Sequence, residues 1–404
     1  MSEQGFRAAG YSWRLHCGRG VVEQDLKAAV DRAGAKRAFV VCSPSVNRRT
    51  DIVRRIEAVL GNHYAGVYDG IEKDSTFASV RGATQAATDA ASDLLIAVGG
   101  GSVIVGARAV AIFMAEPGDP FQIMTQYPEG KPAYSPRLNA PKPPIINIPT
   151  TPTSAMNRAG TGLKNPDLDH RMEYFDPKTR PQAIFLDEDA LLSAPPELIR
   201  STATTVFATS IAAMAQTDMN PLAEGDRNHA FRLAFRAYPR LVDELDNSLL
   251  RTELCIAALL QNRAEDDGSR RLRGGAFAGN YAVSTALHVR YPHVGQGEST
   301  SVVHAAKIRL SEAVDARSAR LVAEALEVWR EGMDARQAAL AVADTLDALY
   351  TRIGVPTQLR QLQIPRDDLR GIANETVKNF NANAGERSRE DQIEDAMRLL
   401  EAAY

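Results

Sequence analysis

Cysteine is scarce in this chain of 404 residues: Cys17, Cys42 and Cys255 are all there is. They stand far apart, without the spacing of a metal site, so neither a disulfide framework nor a thiolate cluster can organise the fold. Three such thiols suit buried, inert roles in a reducing, cytoplasmic compartment. Long apolar runs are also missing. No stretch reaches the roughly 18 consecutive apolar residues needed to span a bilayer, and the opening MSEQGFRAAGYSWRL holds no apolar core of signal-peptide length. Charge of one sign never accumulates: 47 basic residues meet 50 acidic ones, for a net charge of -3. That balance offers no footprint for nucleic acid and no basic face for a membrane surface, which leaves small molecules as the partners. Histidine is sparse too, and none lies between His229 and His288. No internal repeat or low-complexity tract occurs.

What is present is a chain long enough for two domains, with the 44% hydrophobic content of a globular protein. Up to about residue 190, apolar β-rich runs alternate with helical patterns. Strands are expected at 38–43, 64–70, 94–98, 145–148 and 183–187, and helices at 23–33, 52–60, 77–91 and 103–115. Such alternation gives a parallel sheet with helices on its faces, whose ligands meet the carboxyl ends of the strands. Residues 116–144 are rich in Pro, Gly and polar side chains and read as an ordered surface excursion. Beyond Leu191 only helical patterns remain, at 197–217, 224–245, 250–264, 298–314, 318–330, 335–352 and 390–402.

Two strand ends carry chemistry. After 94–98 comes Gly99-Gly100-Gly101-Ser102, three glycines and a serine opening a small-residue helix. Glycines permit a tight turn and close backbone approach, and the free amides and positive dipole end of the helix favour a phosphate, so the turn reads either as a pyrophosphate cradle or as a ligand-free bend. After 145–148 the chain runs into Pro149-Thr150-Thr151-Pro152-Thr153-Ser154, a hydroxyl-rich loop. Threonines there either line a ligand or bond their own backbone.

The order of these motifs resembles the iron-dependent alcohol dehydrogenase family, which includes maleylacetate reductases and is related in fold to dehydroquinate synthase. The likeness rests on Gly99 to Ser102, Pro149-Thr150-Thr151, Asp176-Pro177 leading to Asp187, Leu191-Leu192-Ser193-Ala194-Pro195-Pro196 and Asp218-Met219-Asn220-Pro221-Leu222. It implies an α/β dinucleotide-binding domain at 1–190, an all-helical domain at 191–404, a nicotinamide cofactor in the cleft between them, and a homodimer formed through an edge strand. It also implies that Gly99, Gly100, Gly101 and Ser102 hold the pyrophosphate, while Thr150, Thr151 and Ser154 line ribose and nicotinamide. A carboxylate at the end of the first strand would bind the ribose 2′-OH. This chain has Ser43 there, followed by Asn47, Arg48 and Arg49, which favours NADPH over NADH.

Metal-dependent members of that family hold a divalent ion with an Asp, a His four residues later, and two further histidines about fourteen residues apart. Aligned on Asn220-Pro221, those positions fall on Val206, Ser210, Ser284 or Thr285, and Gln296. The expectation is therefore a site without metal, in which Ser210, Thr285 and Gln296 line a polar cavity. Lacking a Lewis acid, the reaction needs a proton donor, for which His288, His293 and Tyr291 are the candidates. The leading expectation is a metal-independent NAD(P)H-dependent reductase of a carbonyl or C=N group on a small polar substrate. A non-redox enzyme of a specialised biosynthetic pathway, catalysing an elimination or condensation, and a nucleotide-binding homologue without turnover are the alternatives.

Overall fold

The computed structural model describes residues 5–128, 131–266, 275–379 and 388–404, in two compact units, one spanning Tyr11–Ala194 and the other holding Pro195–Tyr404. The first unit contains β1 (Arg14–Gly18), α1 (Val21–Arg32), β2 (Ala38–Cys42), α2 (Pro44–Arg49), α3 (Ile52–Leu60), β3 (Tyr64–Tyr68), α4 (Phe77–Asp89), β4 (Leu94–Gly99) and α5 (Gly101–Ala115). It continues with α6 (Pro120–Ile123), β5 (Ile145–Pro149), β6 (Gly160–Leu163), β7 (Met172–Phe175), β8 (Ala183–Asp187) and α7 (Glu188–Leu192). Six strands form one parallel sheet in the order β1-β8-β5-β4-β2-β3. Strands β2, β4, β5 and β8 are buried along their whole length, which is why they read as unbroken apolar runs. Helices α1 and α3 pack together on one face, where Val22, Leu26, Ile52 and Ile56 join the core beneath β2 and β4. Helices α4 and α5 pack against each other as a second pair, and α5 lies on β4 and β5. Apolar on nearly all sides, α5 is correspondingly buried from Val103 to Ile112 except at Val105.

Three strands escape sequence reading. β1, with the sequence RLHCG, is a half-exposed edge strand and so lacks an apolar run; Cys17 lies on it, exposed, whereas Cys42 and Cys255 are buried. β6 and β7 form an antiparallel hairpin whose inward residues Thr161, Leu163, Met172 and Tyr174 are buried. Its alternation is diluted by Gly160 and Gly162. The hairpin is fastened to α5 by the Thr161 hydroxyl, which donates to the Val105 carbonyl at 2.7 Å.

The second unit is helical: α8 (Pro196–Met214), α9 (Pro221–Ala237), α10 (Ser248–Asp266), α11 (Tyr281–Arg290), α12 (Gln296–Leu310), α13 (Ala316–Ala325), α14 (Ala335–Ile353), α15 (Leu369–Thr376) and α16 (Arg389–Ala402). No strand lies in it among the described residues. Instead of running to 245, α9 stops at Ala237 and tightens into a 3-10 turn, because Pro239 has no N–H to continue the ladder. The short α11 and α15 have no long periodic stretch to announce them. Helices α8 and α12 cross closely: a Cβ at Gly297 would lie 2.0 Å from the Ser201 carbonyl oxygen, so only glycine fits. The Ser201 hydroxyl donates to Glu298 at 2.6 Å and accepts from the Gly297 N–H at 3.1 Å.

Several polar atoms in this helical core pair with one another. Phe207 stacks on Tyr238 at 4.6 Å between centroids, and the Tyr238 and Thr204 hydroxyls are 2.6 Å apart. His304, fully buried, has Nε2 3.1 Å from the Phe277 carbonyl and Nδ1 2.7 Å from the Tyr350 hydroxyl. A carbonyl only accepts, so Nε2 carries the hydrogen and Nδ1 accepts from Tyr350. A second proton would need an acceptor where Tyr350 donates, and burial pushes this imidazole down from 6.5 to about 4. The unfolded chain takes up that proton at the ordinary value, so the stabilisation is complete above about pH 6.5 and is lost as the pH falls toward 4. We expect this group to lower unfolding free energy by about 2 kcal/mol between pH 7.5 and pH 5. In urea titrations at both pH values, His304→Gln should be less stable at neutral pH yet decline less steeply on acidification. Parallel declines would refute the assignment.

Candidate functional site

The chain leaves β2 for the edge strand β3 and returns on the other side of β2 to form β4, so the direction of strand addition reverses between β2 and β4. At such a reversal the flanking helices diverge and open a crevice beyond the carboxyl ends. Cys42 stands opposite Val98 and Gly99 opposite Pro149, so Ser43, the glycine turn and the threonine loop emerge side by side from three neighbouring strands.

The turn itself admits nothing larger than glycine at its start. Gly99 has φ +154, and a Cβ there would meet Val103 Cγ2 at 2.7 Å. A Cβ on Gly100 would lie 3.3 Å from Thr151 Oγ1, and one on Gly101 3.2 Å from Thr153 Oγ1. Gly101 opens α5, whose first amides have no preceding turn to bond. Thr150 donates its N–H to the Gly99 carbonyl at 3.1 Å, which fixes the threonine loop against the turn. The Thr151 hydroxyl is fully buried and has no hydrogen-bond partner among the described residues. Thr153 accepts from the Ala155 N–H at 3.1 Å, and Ser154 between them is half-buried.

Ser102 is tied to the loop that precedes α4. Its hydroxyl accepts the Asp74 N–H at 3.0 Å, and its carbonyl accepts the Ser75 hydroxyl at 2.6 Å. At the end of β2, Ser43 and Arg48 line a cavity of about 450 Å³. Asn47 donates its amide to Asp69, the carboxylate that follows β3, at 3.1 Å.

In the helical unit, Val206 and Ser210 lie buried on α8, and the Ser210 hydroxyl donates to the Phe207 carbonyl at 2.6 Å. Thr285 is buried on α11 with its hydroxyl unpartnered among the described residues. The neighbouring Ser284 hydroxyl meets Ser299 at 2.8 Å and Thr300 at 3.1 Å, and both of these bond back to the Gln296 carbonyl at the start of α12. His288 is buried, with Nδ1 2.9 Å from the Ser284 carbonyl. Tyr291 and His293 are engaged elsewhere. The Tyr291 hydroxyl donates to Asp368, which also holds Arg290, and burial with this carboxylate beside it pushes the phenol up to about 12. His293 Nε2 donates to the Leu362 carbonyl at 2.9 Å. Among the described residues, no three His, Cys, Asp or Glu side chains come together in a way that could hold a metal ion.

Residues 13–188 match the family described as iron-containing alcohol dehydrogenase, and residues 201–404 match the C-terminal part of the same family. The chain belongs to the iron-containing alcohol dehydrogenase family. Maleylacetate reductase 2 of Cupriavidus pinatubonensis is 30% identical over 61% of this chain and 60% of its own length. Lactaldehyde reductase of Escherichia coli is 23% identical over 96% of this chain and 97% of its own. In fold, the alcohol dehydrogenase from Oenococcus oeni superposes with a TM-score of 0.83 at 19% identity, covering 99% of this chain and 100% of its own. Members of this family are NAD(P)H-dependent alcohol dehydrogenases and reductases, and an oxidoreductase of that type is what the chain is.

The glycine turn fits a nicotinamide dinucleotide: a turn that excludes a side chain at Gly99 and crowds one at Gly100 and Gly101 opens a helix N-terminus beside one buried hydroxyl without a partner among the described residues. Sequence reading missed Asp74 and Ser75, which brace that turn through Ser102 from the loop before α4. An unpartnered buried hydroxyl costs about 1 to 3 kcal/mol. Thr151→Val should therefore raise the unfolding free energy of the ligand-free protein by about 1 kcal/mol while weakening nucleotide binding, measured by paired denaturation and fluorescence titration. A variant that is destabilised and binds as before would refute a ligand role.

Proposed function

We propose that this protein is a metal-independent, NADPH-dependent reductase acting on a carbonyl or C=N group of a small polar substrate. The observation that carries the cofactor reading is the side-chain-free turn at Gly99 to Gly101 with the unpartnered Thr151 hydroxyl against it. Ser43, with no carboxylate at that strand end, and Arg48 beside it support NADPH over NADH. A bound reduced nicotinamide supplies the hydride.

The residues at the family's ligand positions do not fit a divalent ion. Val206 offers no donor atom, Ser210 directs its hydroxyl hydrogen to Phe207, and Thr285 and Gln296 are neutral oxygen donors, poor partners for a first-row metal. Ser210, Thr285 and Gln296 serve instead as the polar lining that receives the substrate. His288 delivers the proton. Its Nδ1–H is held by the Ser284 carbonyl in both protonation states, so the proton that moves is the one on Nε2. Tyr291 and His293, candidates by spacing, are left out of the proton transfer, since the first bonds Asp368 and the second the Leu362 carbonyl. The outer edge of β1, with Leu15 36% exposed, supports a homodimer through that strand, and the sparse cysteines, none in a disulfide, support a cytoplasmic location.

The test is a fluorescence titration with NADH and NADPH on protein of known elemental composition, followed by turnover of small aldehydes and keto acids. We expect NADPH to bind, chelators to leave turnover unchanged, and His288→Gln to lower kcat about 10²- to 10⁴-fold with nucleotide affinity intact. Stoichiometric iron or zinc would overturn the metal-free reading. Binding without turnover of any carbonyl would favour a non-redox enzyme or a nucleotide-binding homologue.

A further inference from the structure

Between Pro196 and Leu310, two buried side-chain oxygens lack a hydrogen-bond partner among the described residues: Thr285 Oγ1 on α11 and Gln261 Oε1 on α10. The first belongs to the polar lining that receives the substrate. Gln261 is 3% exposed and stands in a run whose neighbours Ala257, Ala258, Leu260 and Ala264 are buried and apolar. Burying an amide carbonyl without a donor opposes folding, and an aliphatic side chain would fill the same place without that cost.

One contact fixes which end of the amide is left over. Gln261 Nε2 donates to the Val206 carbonyl at 3.1 Å, and a carbonyl cannot donate, so the nitrogen faces α8 and Oε1 is the orphan. Within α8 that same carbonyl takes the Ser210 N–H, four residues on. Gln261 therefore stands at the Val206–Ser210 turn. Ser210 spends its hydroxyl hydrogen on the Phe207 carbonyl at 2.6 Å, which leaves its oxygen able only to accept. Two helices thus bring acceptor oxygens to one turn. A carboxylate placed against them would meet lone pairs, whereas a neutral O–H or amide N–H satisfies them.

We propose that Gln261 is a specificity-determining residue of the reductase: its Oε1 accepts a hydrogen bond from a neutral hydroxyl or amide donor on the substrate and selects against a carboxylate in that place. The inference rests on the reductase reading and adds to it a residue outside the family's ligand positions. In a small substrate such a donor stands within a bond or two of the carbonyl. The favoured class is therefore α-hydroxy or α-amido carbonyl compounds rather than 2-oxo acids.

Values of kcat/KM for glycolaldehyde, propanal and glyoxylate, each referred to the unhydrated aldehyde and measured on the full chain with saturating NADPH, test it. Propanal replaces the hydroxyl by a methyl group, and glyoxylate replaces the hydroxymethyl group by a carboxylate. Loss of one buried hydrogen bond to the substrate costs about 10- to 100-fold, so the wild type should prefer glycolaldehyde to propanal by that factor and reduce glyoxylate least. Gln261→Met keeps the length of the side chain without its amide, and should lower kcat/KM about 10- to 100-fold for glycolaldehyde and less than about threefold for propanal. An equal loss on both aldehydes marks a structural contact to Val206 and overturns the inference, as does a wild type that reduces propanal or glyoxylate as fast as glycolaldehyde. Should Gln261→Met fail to fold, the wild-type comparison decides. Failure of all three aldehydes to turn over with NADPH bound overturns the reductase reading beneath it.

Discussion

Burial of the sheet on both faces is the constraint from which the rest follows. Strands β2, β4, β5 and β8 expose nothing along their length, so polar chemistry in this unit has only the strand ends to occupy. The parallel direction puts all the carboxyl ends on one side, and the reversal of strand order between β2 and β4 separates the covering helices there. Ser43, the glycine turn and the threonine loop are gathered by this arrangement from stretches of chain separated by whole helices. Their hydrogen bonds run mostly to backbone atoms, which holds the loops rigidly without using charge.

The helical unit keeps its buried polar groups by a different rule. Hydroxyls, imidazoles and carbonyls bond each other within the core, as in the Thr204–Tyr238 and His304–Tyr350 pairs, and the buried Arg227 and Arg251 guanidiniums donate to the Gln216 and Leu245 carbonyls. The same economy holds on α11, where Ser284 bonds toward α12 with its hydroxyl and toward His288 with its carbonyl. Held by a carbonyl of its own helix, the His288 ring keeps a defined position.

How much of this could be read from sequence depends on burial. The four central strands announce themselves as apolar runs, and the glycine turn and Thr150-Thr151 are recognisable by residue type at strand ends. Edge strand β1 and the β6–β7 hairpin carry polar and glycine residues on their open side, so no period stands out. Asp74 and Ser75 leave no trace because left-handed backbone is ordinarily signalled by glycine, and neither residue is one. Tyr291 and His293 look like companions of His288 by spacing alone. Their partners Asp368 and Leu362 lie 77 and 69 positions further along, on segments whose packing no local pattern reports.

The placing of β1 has a consequence for how the chain is made. The first strand, beginning at Arg14, pairs only with the last, register Arg14 to Ala183, and the Val22 amide reaches the Asp187 carboxylate across 165 positions. On the ribosome, the opening segment emerges long before its only neighbour exists. β1 therefore has no native partner until β8 has been synthesised, and that side of the sheet closes only after every strand between them in the chain has emerged.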